Sequence, residues 1–133
     1  MQAHRVELQL RFTDIDLAGH VNNAVYLNYF EQARLSFFGQ FLGGEHDWTN
    51  EGVLLAHAEL DYLDRIELND KVHIEIGCDR LGTKSFDLVY KVHREAPEGP
   101  VLCCSGKTTM VCFDFKENAT IDVPEKWQKA LQA

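Results

Sequence analysis

Apolar and polar residues alternate along most of this chain between residues 54 and 115. An apolar side chain at every second position is the period of a half-buried β-strand. Four segments follow this period, at residues 54–62, 72–78, 86–92 and 101–115, and turn-forming sequences separate them. In the first segment the alternating residues are Leu54, Ala56, Ala58, Leu60 and Tyr62. The pattern predicts one antiparallel sheet.

The first third of the chain adds one more strand and a helix. Residues 5–12 also alternate and predict a strand with one face formed by Val6, Leu8, Leu10 and Phe12. Apolar residues then recur at helical spacing, at Tyr26, Phe30, Ala33, Phe37 and Phe41. Gly43 and Gly44 end this run, so we predict a helix of about four or five turns. A second, short helix is predicted to start at Pro124.

These elements predict a single α+β domain over residues 1–133. A chain of 133 residues fits one domain. An aromatic helix needs an apolar surface to lie on, and a curved antiparallel sheet offers that surface. Such a sheet has two edges and one uncovered face, which pairing with a second copy would cover. We therefore expect a homodimer or a homotetramer.

Composition excludes several classes of partner. The formal net charge of −8 argues against nucleic acid, because phosphate binding needs clustered Lys and Arg. The N-terminus has no apolar core of a secretory signal, and no apolar run is long enough to span a membrane. The four cysteines form no C-x-x-C pair, and we expect reduced thiols in a cytoplasmic protein.

Local spacings predict no metal site. Asp14 and Asp16 begin like a calcium loop, but Ala18 and Val25 stand where that loop needs oxygen ligands. Six histidines, at positions 4, 20, 46, 57, 73 and 93, form neither an i, i+4 pair nor a zinc-finger spacing. The chain also lacks a G-x-S-x-G elbow and a phosphate-binding glycine loop.

Residues 13–23 concentrate short polar side chains just before the predicted helix. Asn22 or Asn23 would suffice to cap the helix, which leaves Asp14, Asp16 and His20 to explain. The free N–H groups at a helix start can polarise a carbonyl oxygen. A nearby carboxylate can activate water as a general base or attack the carbonyl itself. The combination predicts hydrolysis of an activated acyl group without Ser, Cys or metal.

The same stretch resembles a known family signature. Residues 14–27 read D-I-D-L-A-G-H-V-N-N-A-V-Y-L, and F-E-Q-A-R follows at residues 30–34. This sequence is similar to the hotdog-fold acyl-CoA thioesterases of the 4-hydroxybenzoyl-CoA thioesterase-like group, and the similarity continues at residues 57–70 and 79–86. The resemblance implies a hotdog domain, in which a sheet wraps a long central helix. It also implies an acyl-CoA substrate, with CoA as part of that substrate and no separate cofactor.

The resemblance assigns roles within the motif. It places the catalytic carboxylate on Asp16 and the N–H that polarises the thioester carbonyl on the backbone of Asn23. Gly19 would let the backbone turn toward the ligand. Some members carry a histidine at the position of Asn23, whereas this chain has His20 instead, which either orients a neighbour or packs in the turn. Asp14 is interpreted as structural, since turn aspartates commonly bond local backbone.

Two further predictions concern residues outside the loop. The resemblance places the turn of Gly82, Thr83, Lys84 and Ser85 beside the CoA arm, whose phosphates need local cations on so acidic a chain. Glu31 and Arg34, three residues apart, are expected to pair on the helix.

Two other functions share this fold. The alternatives are a non-catalytic binder of acyl-CoA or acyl-carrier protein and a hotdog-type dehydratase. Asp16 favours the hydrolase, because a binding protein has no need of that carboxylate. The H-V-N-N sequence before the helix matches the thioesterase signature rather than that of a dehydratase.

Overall fold

A computed structural model describes residues 3–132 of the chain. Within them the elements are β1 (His4–Leu8), a 3-10 turn (Phe12–Asp14), α1 (Val25–Leu42), β2 (Glu51–Tyr62), β3 (Val72–Leu81), β4 (Ser85–Arg94), β5 (Val101–Asp114), β6 (Ala119–Thr120) and α2 (Glu125–Gln132). The strands form one antiparallel sheet in the order β1-β3-β4-β5-β2, and β6 pairs with β5. The predicted α+β class is confirmed.

Helix α1 lies across the sheet on its aromatic face. The Phe30 ring stacks parallel to the Tyr90 ring of β4, with their centroids 4.0 Å apart. Further along α1, Phe38 contacts Phe86 of β4 edge-on and stacks against Trp127 of α2. These aromatic side chains are buried, and burial of large apolar surfaces is the main favourable contribution to folding.

The predicted end of α1 is confirmed at Gly43. Its φ of 73° lies in the left-handed region that favours glycine, and its N–H donates to the carbonyl oxygen of Gly39 at 3.2 Å. No helix among the described residues combines the length and apolar character that crossing a membrane requires.

The first strand is shorter than its alternation predicts. β1 ends at Leu8, and Phe12 lies in the 3-10 turn with 81% of its surface exposed rather than on the buried face. The reason is local hydrogen bonding. The Asp14 carboxylate accepts the Arg11 N–H at 3.0 Å, and the Asp14 N–H donates to the Arg11 carbonyl oxygen at 2.9 Å. This turn ends the extended conformation before Phe12 can pair.

The predicted alternation of β2 is wrong, because the strand contains a β-bulge. The register with β5 shifts between Leu55 and His57, so the residues before and after the bulge alternate in opposite phase. Before it, Leu55 is the cross-strand partner of the buried Met110, so Leu55 rather than Leu54 lies on the side of the sheet that Met110 occupies. After it, Ala58 pairs with the buried Thr108. Leu54 therefore does not share the face of Ala58, although simple alternation placed them together.

The approach of α1 to the sheet depends on the absence of a side chain at Gly106. A Cβ atom there would lie 2.5 Å from Cε2 of Phe30 and 2.9 Å from the Glu59 carbonyl oxygen. We predict that Gly106→Ala lowers the free energy of unfolding by about 1–3 kcal/mol, because the Phe30 ring must move away from Tyr90. Urea unfolding at neutral pH measures this loss. Gly44→Ala is the matched control, since a Cβ at Gly44 meets no atom within 4 Å. Equal effects at the two positions would contradict this account of the packing.

Candidate active site

A tight turn carries the first polar residues of the loop between β1 and α1. Ile15 bridges Val21 in antiparallel fashion, and the Asp16 N–H donates to the His20 carbonyl oxygen at 2.9 Å. The Gly19 N–H donates to the Asp16 carbonyl oxygen at 3.0 Å. Gly19 has a φ of 83°, which glycine adopts without the strain a side chain would cause. Gly19 thus closes this turn, and its role in turning the backbone toward a ligand stays a prediction.

Asp14 fastens the loop to α1 through a buried carboxylate. Only 1% of its surface is exposed, and its Oδ2 accepts the Tyr29 hydroxyl of α1 at 2.9 Å. The Arg11 guanidinium donates to Oδ1 at 3.1 Å. Burial raises the pKa of Asp14, but the hydrogen bonds from the Arg11 N–H, the Tyr29 hydroxyl and the Arg11 side chain outweigh it and hold that pKa below its usual range. Asp14 is therefore an ionised anchor, in agreement with its interpretation as structural.

Asp16 is exposed, in contrast to Asp14. Its Oδ1 accepts the Ala18 N–H at 2.9 Å, which orients the carboxylate across the turn. The other oxygen, Oδ2, accepts no hydrogen bond from the residues that the structure describes. Asp16 thus combines a fixed orientation with an oxygen that is open to a ligand or a water molecule.

Asn22 and Asn23 make different contacts just before α1, one through its side chain and the other through its backbone. The Asn22 side chain accepts the Ala24 N–H at 2.9 Å, just before the first helical residue. The Asn23 carbonyl oxygen accepts the Tyr62 hydroxyl at 3.0 Å, which ties this position to the end of β2. The Asn23 N–H makes no hydrogen bond within residues 3–132. It is an unused donor two residues before the first helical residue, Val25, near the positive end of the helix dipole, which favours negative charge on a bound oxygen.

A cleft of about 290 Å³ brings three of the predicted site residues together, namely Asp16, His20 and Asn23. Sequence reasoning missed the rest of its lining, which includes Tyr26, Tyr62 and Arg65. The Tyr26 and Tyr62 rings meet edge to face with centroids 5.4 Å apart, and burial raises the pKa of Tyr26. Tyr26 occupies a helical apolar position and Tyr62 ends a strand, so their spacing signals packing rather than a site.

The turn at residues 82–85 lies elsewhere. The Gly82 N–H donates to the Ser85 carbonyl oxygen at 2.8 Å, and the Thr83 carbonyl oxygen accepts a backbone N–H at 2.8 Å. Nζ of Lys84 is 3.2 Å from Oδ1 of Asp122. β3 begins where β1 ends, next to the loop, and it reaches this turn ten residues later, about 30 Å away. Within one chain, the structure does not bring the turn to the cleft.

The predicted helix pair of Glu31 and Arg34 is wrong. The Arg34 side chain is buried, and its Nη1 donates to the Tyr90 hydroxyl at 3.1 Å. The Tyr90 hydroxyl lies 2.6 Å from Oγ1 of Thr108. Arg34 forms no ion pair with Glu31 in the described part of the chain, because its guanidinium is directed to the sheet rather than along the helix surface.

Sequence comparison finds a family match and relatives over most of this chain. A sequence model of the thioesterase-like superfamily matches residues 10–131. The long-chain acyl-CoA thioesterase FadM of Escherichia coli strain K12 is 26% identical over 131 residues, which cover 96% of this chain and 96% of FadM.

Solved structures share the fold. A thioesterase from Thermus thermophilus, complexed with coenzyme A and Zn, is 29% identical with a TM-score of 0.82, and the match covers 96% of this chain and 90% of that chain. A mutant 4-hydroxybenzoyl-CoA thioesterase complexed with 4-hydroxybenzoyl-CoA matches with a TM-score of 0.89 at 18% identity, over 98% of this chain and 99% of that chain. The predicted hotdog fold is confirmed.

We predict that substituting the two aspartates of the loop changes the free energy of unfolding by different amounts. Asp14→Asn should lower the free energy of unfolding at pH 7 by about 1.5–3 kcal/mol, because it weakens buried hydrogen bonds to a charged group. Asp16→Asn, which changes an exposed carboxylate, should stay within about 0.5 kcal/mol of the wild type. Urea unfolding measures both, and similar losses for the two variants would contradict the anchoring role of Asp14.

The difference in unfolding free energy between wild type and Asp14→Asn should also depend on pH, which tests the role of Asp14 a second time. The folded-state pKa of Asp14 lies below the unfolded value of about 3.9. The stabilisation it gives is therefore complete above that value and is lost as the pH falls through the folded-state pKa. The gap in unfolding free energy between wild type and Asp14→Asn should be constant from pH 7 to about pH 5 and narrow below about pH 4.

Proposed function

Because this chain belongs to the thioesterase-like superfamily, we propose that it is an enzyme that hydrolyses an acyl-CoA thioester to a carboxylic acid and free CoA. The observation that carries the proposal is the pairing, in one cleft, of the exposed Asp16 carboxylate with the unused N–H of Asn23. The thioesterases that this chain matches, including one complexed with coenzyme A, support acyl-CoA as the substrate class.

The two groups act on opposite sides of the thioester carbonyl. The carbonyl oxygen accepts the Asn23 N–H at the positive end of the α1 dipole, so that the negative charge of the tetrahedral intermediate is stabilised. Asp16 removes a proton from a water molecule, whose oxygen attacks the carbonyl carbon. The carbon–sulfur bond then breaks, and the CoA sulfur leaves with the electron pair and takes up a proton. The reaction needs no group beyond water and the chain.

In a second route Asp16 attacks the carbonyl carbon directly. The carbon–sulfur bond breaks, the CoA sulfur leaves with the electron pair and takes up a proton, and water then opens the mixed anhydride that remains on Asp16. A single turnover in ¹⁸O-labelled water distinguishes general-base catalysis from the form of this route in which water attacks the anhydride at Asp16. With Asp16 as general base, the label enters the carboxylic acid product. With Asp16 as nucleophile and water attacking the anhydride at Asp16, the label stays on the protein.

A homodimer would bring a second cation, Lys84, toward the cleft, in addition to the Arg65 that lines it. β2 is an edge strand with exposed apolar side chains at Leu54, Leu55 and Tyr62, so it can pair antiparallel with the β2 of a second copy. Such pairing reverses the strand direction and brings the second copy's turn at residues 82–85 toward the end of β2 that carries Tyr62. The turn would lie about three strand spacings away, roughly 15 Å, which an extended CoA arm can bridge.

The buried cysteines Cys103, Cys104 and Cys112 are thiols, as suits the cytoplasmic location that we propose.

Incubation with a panel of acyl-CoAs and a thiol-trapping dye tests the function. Steady release of free CoA is the expected result. Saturable binding without release would instead favour the non-catalytic binder, and a change in enoyl absorbance would favour the dehydratase. Either of these outcomes would overturn the hydrolase, and the panel also identifies the preferred acyl chain.

Asp16→Asn should lower kcat by about 10²–10⁴-fold, because it keeps the size of the side chain and removes the proton acceptor. Asp79→Asn, at an exposed position on β3, is the control and should leave kcat unchanged. A mutant at Asp16 that kept most of its activity would show that the chemistry lies elsewhere.

Asn23→Ala tests the donor at the same time. Alanine keeps the backbone N–H, so the loss of activity should be far smaller than for Asp16→Asn. Asn23→Pro, which removes the N–H, should be much slower, with circular dichroism to verify that it folds. If Asn23→Ala were as inactive as Asp16→Asn, the side chain rather than the backbone would be the functional group.

Lys84→Glu should raise the KM for acyl-CoA more than it lowers kcat, because Lys84 is proposed to contact the CoA arm away from the reacting bond. The effect should shrink as salt rises, since exposed charges are screened over about 8–10 Å. Lys129→Glu is the matched control, because Lys129 is also an exposed lysine paired with a surface carboxylate. Equal losses on acyl-CoA and on a truncated thioester without phosphates would contradict the assignment.

A further inference from the structure

Two histidines far apart in the sequence meet on the face of the sheet that α1 does not cover. His73 on β3 and His93 on β4 are direct cross-strand partners, and their rings stack with centroids 5.0 Å apart. Their neighbours Ile74 and Val92 are buried in the core beneath α1, so alternation places both imidazoles on the opposite face. Glu75, two residues along β3, shares that face.

The three side chains converge on one point. Oε1 of Glu75 lies 3.8 Å from Nε2 of His73 and 3.8 Å from Nδ1 of His93. One ligand atom from each residue can be chosen so that all three lie within 4.8 Å of one another. Ligand atoms bound tetrahedrally to Zn²⁺ at about 2.0–2.1 Å are roughly 3.3 Å apart. Small rotations of the side chains therefore suffice to reach that geometry.

One nitrogen of each imidazole ring has no hydrogen-bond partner among residues 3–132. His73 exposes 3% of its side chain, and the Nδ1 atoms of both histidines are buried without a hydrogen-bond partner in the described chain. Buried polar atoms are almost always bonded, so the unpartnered Nδ1 of His93 is a sign of a missing ligand. Glu75 forms ion pairs with these two histidines, and no Lys or Arg of residues 3–132 is within ion-pair distance of it.

We propose that His73, Glu75 and His93 form a binding site for a divalent transition-metal ion of the Zn²⁺ class. Nε2 of His73, Nδ1 of His93 and a carboxylate oxygen of Glu75 are the ligands, and water completes the tetrahedron. Imidazole with carboxylate is a donor set that suits Zn²⁺.

A second carboxylate, Glu95, lies where it can orient the His73 ring for metal binding. Nδ1 of His73 lies 3.4 Å from Oε1 of Glu95, so with Nε2 on the metal it can direct its N–H to an outer carboxylate, an arrangement common around zinc. The site joins β3 to β4 and shares no residue with the cleft of Asp16, so we assign it a structural role.

Metal binding to untagged protein, freed of metal with a chelator, tests the proposal. Equilibrium dialysis with Zn²⁺ should give one ion per chain, and added Zn²⁺ should raise the melting temperature. Co²⁺ should give the visible absorption of a tetrahedral site. Glu75→Gln, at a side chain that is 42% exposed, should fold normally and weaken Zn²⁺ binding by at least about tenfold, as should His93→Leu.

Two variants serve as controls for other donors. His57→Ala removes an exposed histidine of β2, and Cys78→Ser removes the cysteine that is least buried. Both should bind Zn²⁺ as the wild type does. The proposal is overturned if the wild type shows no saturable binding, if Glu75→Gln binds as tightly as the wild type, or if binding is lost in either control. None of these results depends on hydrolase activity.

Discussion

The buried carboxylate of Asp14 is the contact on which the candidate site depends. It joins the loop to α1 through Tyr29 and shapes the turn through Arg11, and the Asp14 carbonyl oxygen accepts the Asn22 N–H at 2.9 Å. The positions of both Asp16 and Asn23 follow from these bonds. The loop thus uses two aspartates differently, because a buried one with fixed hydrogen bonds can hold geometry, whereas an exposed one can reach water and substrate.

Periodicity predicted α1 and the strands β1 to β5 in their succession along the chain, because the core face of each element repeats over many residues. It failed where a few local bonds decide the backbone. The turn that Asp14 forms with Arg11 ends β1 before Phe12, and the bulge after Leu55 reverses the phase of β2. Hydrophobic patterns describe averages over a segment, so they do not register a single side-chain-to-backbone bond or one inserted residue.

Sequence analysis could identify those residues of the candidate site that lie close together along the chain. Asp16 and Asn23 lie in one short loop, and the resemblance to the family covers that loop. Tyr62 enters from the end of β2, and its place depends on strand register. His73 and His93 are 20 positions apart and meet through the pairing of β3 with β4, which a search for local ligand spacings cannot find. The structure therefore reveals groups of side chains that strand pairing brings together. The prediction of no metal site rested only on the spacing of ligands along the sequence.

The most direct measurement is a crystal structure of the Asp16→Asn variant with an uncleaved acyl-CoA. The account predicts that the thioester carbonyl oxygen lies within about 3 Å of the Asn23 nitrogen, with the carbonyl carbon facing the side chain at position 16. It also predicts that the CoA phosphates approach the turn at residues 82–85 of a second copy. A thioester bound outside this cleft, or a carbonyl oxygen that the Asn23 N–H does not reach, would contradict the proposed chemistry.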